Sequence, residues 1–240
     1  MILAIDAGNT RVKWGLHDGE RWLRQGWAAK ARTEELAKVW LDLPPLRRAV
    51  ASNVAGAELE GRLEEALRAI TVEPQWLVAS AAQCGVRNGY DQPAQLGSDR
   101  WAALIGAWHL HGRGCLVANA GTAMTVDALS DDGIFLGGII IPGMRAMTEA
   151  LVVKTAAIQP TAGVFRPFPT NTADAVHSGA LSALAGAVTA LAATLSSRLG
   201  REPTCVLSGG DAGLLRPLLG GNTIMVENLV LEGLIRIALA

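Results

Sequence analysis

A chain of 240 residues, 50% hydrophobic and 18% charged, can bury one large core or two half-size ones, which excludes a wholly disordered or low-complexity protein. Twenty-one Lys and Arg against 22 Asp and Glu leave a net charge of −1, too balanced for a broad nucleic-acid footprint. The three cysteines, Cys84, Cys115 and Cys205, form no CxxC pair and the four histidines fall in no ligand spacing, so a disulfide scaffold and a structural zinc site are both poor readings and a reducing cytoplasm is the expected compartment.

Met1 to Asp6 reads as a strand, without the basic leader of a secretion signal, Gly8-Asn9-Thr10 as a tight turn, and Arg11 to Leu16 as a returning strand with alternating apolar residues. Asp18-Gly19 turns the chain into a third strand, Arg21 to Trp27. Thr33 to Leu43 has the punctuation of a helix, with Glu34 and Glu35 in its first turn and Pro44-Pro45 beyond its end. Arg48 to Asn53 is then a buried strand, Ala57 to Ile70 a helix and Gln75 to Ala79 another strand. The pattern starts again with Cys115 to Asn119, the turn Gly121-Thr122, Met124 to Leu129 and Ile134 to Ile141, followed by helices and a last strand at Thr204 to Leu207. Two echoes point to an internal duplication: Ala4-Ile5-Asp6-Ala7-Gly8-Asn9-Thr10 against Val117-Ala118-Asn119-Ala120-Gly121-Thr122, and Val50-Ala51-Ser52-Asn53 against Val206-Leu207-Ser208-Gly209. The halves divide at 1–112 and 113–240. Ser178 to Ser197 carries no charge but is mostly Ala with Ser182, Gly186, Thr189 and Thr194, which fits a core or subunit-interface helix better than a membrane span.

Asp6, at a strand end beside Ala-Gly-Asn-Thr, puts a carboxylate next to backbone N–H groups that can face a phosphate, and magnesium prefers one or two such carboxylates with phosphate oxygens and water. Gly121-Thr122 offers a second turn of that kind. The plain alternative is that both are hairpin turns, which need the same residue types. Gly97-Ser98-Asp99-Arg100 opens an apolar helix. Asp99 there either complements the helix N-terminus or serves as a general base with Arg100 as an anion clamp, while Tyr90, the only tyrosine, either lines a pocket or covers surface. Gly137-Gly138 leads to Pro142-Gly143, where Pro142 suits the first position of the next helix, and Ser208-Gly209-Gly210-Asp211 lies between a strand and a helix. No GxxxxGK[ST] and no GxGxxG after the first strand occur, which disfavours P-loop and Rossmann readings.

In order, Asp6-Ala-Gly-Asn-Thr10, Gly97-Ser-Asp-Arg100, Gly121-Thr122-Ala-Met-Thr125, Gly137-Gly138 to Pro142-Gly143, Asn171-Thr172 and Ser208-Gly-Gly210-Asp211 resemble the type III pantothenate kinases across almost the whole chain, and Leu229 to Leu234 is similar to that family's C-terminal helix. The resemblance implies an α/β fold: the duplicated ribonuclease-H-like, actin-like ATPase fold, with a mixed five-stranded sheet and flanking helices in each half. It implies transfer of the ATP γ-phosphoryl group to pantothenate, with Asp99 as catalytic base. Tyr90, Gly97, Ser98, Arg100 and Thr172 would bind pantothenate, Thr172 from the neighbour across a homodimer. Asp6 would hold Mg2+, and Gly8, Asn9, Thr10, Arg11, Val12, Lys13, Gly121 and Thr122 would bind ATP. The first half would thus carry pantothenate-site residues, and the second the dimer helix and nucleotide-site residues. Asn119 stands where the family commonly has the aspartate that helps bind K+ or NH4+, which puts that cation site in doubt. Neither a nucleic acid nor a membrane is an expected partner. Two alternatives are a non-catalytic regulatory relative and a kinase of another small hydroxy acid.

Overall fold

The computed structural model describes residues 1–155, 158–159 and 161–240. In the first third of the chain, β1 (Ile2–Ala7), β2 (Arg11–His17) and β3 (Trp22–Ala29) form an antiparallel meander. Then follow α1 (Glu34–Leu41), β4 (Arg48–Asn53), α2 (Ala57–Arg68) and β5 (Pro74–Trp76), giving a five-stranded sheet in the order β3-β2-β1-β4-β5 with β1, β4 and β5 parallel. Alternation divides the faces. Leu3, Ile5 and Ala7 join Val12, Trp14, Leu16, Ala49 and Ala51 in a core closed by Leu36 and Trp40 of α1 and Leu59, Leu63 and Leu67 of α2. Ile2, Ala4 and Val50, on the other face, are equally buried. They lie under α3 (Ser98–His111) and α7 (Leu229–Leu239). These two helices meet through Gly106 and Gly233, where a Cβ on Gly106 would come 2.7 Å from the Leu229 carbonyl oxygen and one on Gly233 would strike the Ala102 backbone.

Between β5 and α3 the sequence suggests only irregular chain, yet it holds a hairpin of two short strands, β6 (Ala82–Gln83) and β7 (Val86–Asn88). The strand expected to run to Ala79 ends at Trp76, where its pairing with β4 stops. Later come β8 (Cys115–Ala120), β9 (Ala123–Leu129), β10 (Ile134–Pro142), α4 (Met144–Lys154), α5 (Thr172–Leu199), β11 (Thr204–Ser208), α6 (Ala212–Leu215) and β12 (Thr223–Met225). The second sheet therefore has seven strands rather than five, in the order β12-β11-β8-β9-β10-β7-β6. The two extra strands, β6 and β7, join because Ile134 and Phe135 pair with Arg87 and Asn88 of β7. Thr204 to Leu207 is not the last strand either, since β12 pairs beyond it. Pro142 ends β10 instead of opening a helix, and Gly143 is the residue that precedes α4.

Contacts divide the chain into two compact units: Met1–Gly112 with Gly133–Phe135 and Asn228–Ala240, and Arg113–Asp132 with Leu136–Glu227. The C-terminal helix α7 thus belongs with the first unit, on β1 and α3. The echoes found in the sequence recur in the pairing. Ala4 pairs with Val50 and Asp6 with Ser52 in the first unit, just as Val117 pairs with Val206 and Asn119 with Ser208 in the second. In the second unit Leu181, Leu184, Val188 and Leu195 of α5 are buried against a core that includes Leu116 and Ala118 of β8 and Met124 and Val126 of β9. Among the described residues α5 is the one helix long and apolar enough to cross a membrane, and this packed side is what a core helix needs.

Candidate functional site

Strand pairing sets one row of side chains across the first sheet. Asp6 lies opposite Lys13 of β2 and beside Ser52 of parallel β4, and Lys13 in turn lies opposite Trp27 of β3. Paired residues share a face, so Trp27, Lys13, Asp6 and Ser52 stand in line at the carboxyl ends of β1 and β4, where ligands of open α/β sheets gather. Gly8, Asn9 and Thr10 follow Asp6 in a turn closed by the Gly8 N–H donating to the Arg11 carbonyl at 3.0 Å, with Asn9 and Thr10 exposed. Val12 is fully buried in the core, so only its backbone can serve a ligand, while Arg11 is exposed with its guanidinium 4.5 Å from the Trp27 ring centroid.

The buried end of the row meets α3. The hydroxyls of Ser52 and Ser98 share a hydrogen bond at 2.9 Å, both buried, and Ser98 Oγ also reaches the Asn53 carbonyl at 3.5 Å. This anchors the first turn of α3, whose N-terminus is capped by Gly97 without a side-chain bond. Asp99 follows, its Oδ1 accepting from the Arg100 N–H at 2.8 Å. Burial raises the Asp6 pKa to about 7, the Asp99 charge adds to that rise, and Lys13 opposes it. Burial also raises Asp99, against the pull of Arg100. Two carboxylates that resist joint ionisation are a natural seat for a cation beside Asp6, and a carboxylate lifted toward neutrality is a better proton acceptor. Among the described residues no three ligating side chains cluster as a transition-metal site would need. Magnesium needs fewer, because phosphate oxygens and water complete its shell.

Arg100 is buried, a costly place for a guanidinium unless it is held. Its Nη1 donates to the Tyr90 hydroxyl at 2.9 Å, and its Cζ lies 5.7 Å from the ring centroids of both Tyr90 and Phe135. Those rings are 5.2 Å apart, tilted by 39°. Asn88 fixes the Tyr90 backbone, its Oδ1 accepting from the Tyr90 N–H at 3.1 Å. The cluster thus explains the hairpin that the sequence concealed: β7 brings Asn88 next to Phe135, and together they seat Tyr90 against Arg100. Ser52 and Phe135 are parts of this arrangement that sequence reasoning missed. Ser52 had a signal, its place in the Val50-Ala51-Ser52-Asn53 echo, and Phe135 had none.

In the second unit, Gly121 closes a comparable turn, its N–H donating to the Ala123 carbonyl at 3.2 Å, and the Gly143 N–H donates to the Thr122 carbonyl at 3.1 Å. Asn119 holds the place in this register that Asp6 holds in the other, opposite Thr125 and beside Ser208. Gly209, at φ +103°, packs against the Ala120 backbone, and the Asp211 N–H donates to the Ala120 carbonyl at 3.0 Å, so the Ser208-Gly-Gly-Asp loop is bound to the end of β8. Thr172 is exposed at the start of α5, which Asn171 caps by accepting from the Asp174 N–H at 2.9 Å.

Comparison with known proteins bears on this arrangement directly. The family model described as type III pantothenate kinase matches residues 2–194. A type III pantothenate kinase of Nitrosospira multiformis is 54% identical over 238 residues, covering 99% of this chain and 91% of that protein. One of Aromatoleum aromaticum is 49% identical, covering 99% and 98%. Among solved structures, a protein described as a 2-dehydro-3-deoxygalactonokinase from Sinorhizobium meliloti aligns with TM-score 0.62 at 15% identity over 99% of this chain and 98% of its own. A Baf-family transcriptional activator from Campylobacter jejuni aligns at 0.61 and 19%, covering 98% and 96%. At such identities these two speak for the fold alone, the actin-like ATPase and sugar-kinase fold. With a family match across most of its length and relatives near half identity across nearly all of it, this chain belongs to the type III pantothenate kinase family.

Proposed function

We propose that the chain uses Asp99 as the base in moving the γ-phosphoryl group of ATP to the hydroxyl of pantothenate. The family phosphorylates pantothenate in coenzyme A biosynthesis, and this member is a kinase of that reaction. The observation that carries the residue assignment is the adjacency of Asp99 and Arg100 at the start of α3, with the Asp99 carboxylate close enough to Asp6 to raise its pKa. The pantothenate O–H bond breaks with its proton passing to Asp99, the oxygen bonds to phosphorus, and the bond from phosphorus to the ADP oxygen breaks. Such a transfer asks for alignment and charge neutralisation rather than covalent help.

Arg100, held by Tyr90 and Phe135, takes the pantothenate carboxylate, and Gly97 lets the substrate approach the α3 N-terminus. Ser98 acts from below, because its hydroxyl is engaged with Ser52. Gly8, Asn9, Thr10 and Lys13 face ATP phosphates, and the turn at Gly121 and Thr122 offers phosphate-facing N–H groups of the same kind. Mg2+, held by Asp6, would neutralise charge on the phosphates. Asn119 offers an amide oxygen but no formal charge, so we read the K+ or NH4+ site as weakened. The exposed face of α5 joins two copies, from which Thr172 reaches the neighbour's pantothenate site, and the cytoplasm remains the compartment of this reading. ADP release coupled to a reporter, measured with and without pantothenate, tests the activity. Asp99→Asn should lower turnover about 10²–10⁴-fold with the unfolding midpoint unchanged. Near-normal turnover in that variant would return Asp99 to a helix-start residue.

A further inference from the structure

The outer end of the Trp27–Lys13–Asp6–Ser52 row has no part in the account above. Trp27 is 56% exposed on β3, an edge strand, and its ring carries the Arg11 guanidinium at 4.5 Å. Arg11 and Lys13 are two residues apart on β2 and so share the Asp6 face. Arg11 makes no ion pair among the described residues. The end of β3 is tied to the Gly8–Thr10 turn, since the Lys30 N–H donates to the Thr10 carbonyl at 3.0 Å. A second stack, Arg24 over Trp14 at 5.6 Å, belongs to the opposite face and supplies an internal comparison.

We propose that Trp27 is a positioning residue for the nucleotide: its ring holds the Arg11 guanidinium ready, beside Lys13, as a second cationic contact for the polyphosphate. This rests on the reading of the Gly8–Thr10 turn as phosphate-facing. A long, mobile arginine loses rotamer freedom when it grips an anion, and one already laid flat on an indole has lost part of it beforehand. The stack leaves the guanidinium edge, with its N–H donors, free to point away from the ring, the edge by which arginine grips phosphate. The Asp6 carboxylate stands further along the same row, with Asp99 beyond it in the first turn of α3, so polyphosphate arriving there needs cations on its outer side as well as a metal on its inner one.

The test is titration calorimetry of the full chain with Mg2+ and a non-hydrolysable ATP analogue, alongside pantothenate KM from steady-state turnover. Trp27→Leu should weaken analogue binding about 2–5-fold, the range of an exposed cation–π contact, with pantothenate KM and the unfolding midpoint unchanged. Trp27→Phe should recover most of that loss, and Arg11→Ala should weaken binding about 10-fold or more. The double variant Arg11→Ala/Trp27→Leu should be no worse than Arg11→Ala, because the ring acts only through the guanidinium. Arg24→Ala should bind as the unmodified protein does. Unchanged analogue affinity in Trp27→Leu, or losses in the double variant that simply multiply, would overturn the proposal. Because binding is read without turnover, an unmodified protein that held the analogue yet ignored pantothenate would sink the kinase reading instead.

Discussion

Folding selects the neutral form of His17. Burial holds its pKa below the ordinary value, Asp18 and Glu232 pull it upward, Arg236 pulls it down, and its Nδ1 accepts the Gly19 N–H at 3.0 Å. His109 is lowered in the same direction, by burial first and then by Arg236. A group whose folded pKa is depressed gives stability that is present above its unfolded value and lost as pH falls through the folded one. Between about pH 7 and about pH 5.5 the two histidines should therefore give the calorimetric unfolding midpoint a downward slope on acidification, set against the upward one from Asp6, whose folded pKa is raised to about 7. His17→Asn, which keeps an acceptor near the Nδ1 position, should make that slope shallower, with His109 supplying the remainder. An identical slope in the variant would mean that His17 titrates alike in both states. Site chemistry at this scale follows the same logic: Asp6 and Asp99 owe their raised pKa values first to burial, which the sequence hints at only by ending an apolar strand in Asp6.

The β6–β7 hairpin turns through Cys84 and Gly85, both at positive φ, 48° and 81°. Two-residue turns of this kind favour Asn-Gly, since an ordinary side chain in the left-handed region costs about 1–2 kcal/mol that Asn partly escapes. Cys84→Asn gives up only a weak S–H contact to the Arg236 carbonyl at 3.8 Å. It should stabilise the protein by about 1 kcal/mol and raise the unfolding midpoint by about 2–4 °C; a lower midpoint would show that the sulfur contact outweighs the turn. The same hairpin marks where the sequence stops being legible. β1, β2, β4, α3 and α5 could be read because each is long enough to show a period or a cap, whereas β6, β7 and β12 span two or three residues and exist through their neighbours. The site divides likewise. Asp6, Asp99 and Arg100 stand in short motifs, but Phe135 reaches Arg100 across the fold from a strand that begins 34 residues after it.

On the scale of the whole molecule, α5 presents Thr172, Ala175, Gly179, Ser182, Gly186, Thr189 and Ala193 to solvent, an uncharged face of small side chains along a 28-residue helix. A Cβ on Gly186 meets nothing within 4 Å, so a side chain there leaves the protomer undisturbed. If this face joins two copies, Gly186→Glu should halve the mass in light scattering while the protomer's circular dichroism stays the same; an unchanged dimer would move the interface elsewhere. The placement of α7 has a consequence of another kind. The chain crosses between its two units at residues 112, 132, 135 and 227, and one of the two helices that cover Ile2, Ala4 and Val50, α7, lies in the segment Asn228–Ala240. On the ribosome the part of that apolar face that α3 does not cover must wait bare while the second unit is synthesised. The unit bearing Asp6 and Asp99 therefore completes its folding only once α7 has left the exit tunnel, and a nascent chain stalled before that point presents chaperones with exposed sheet rather than with a working half.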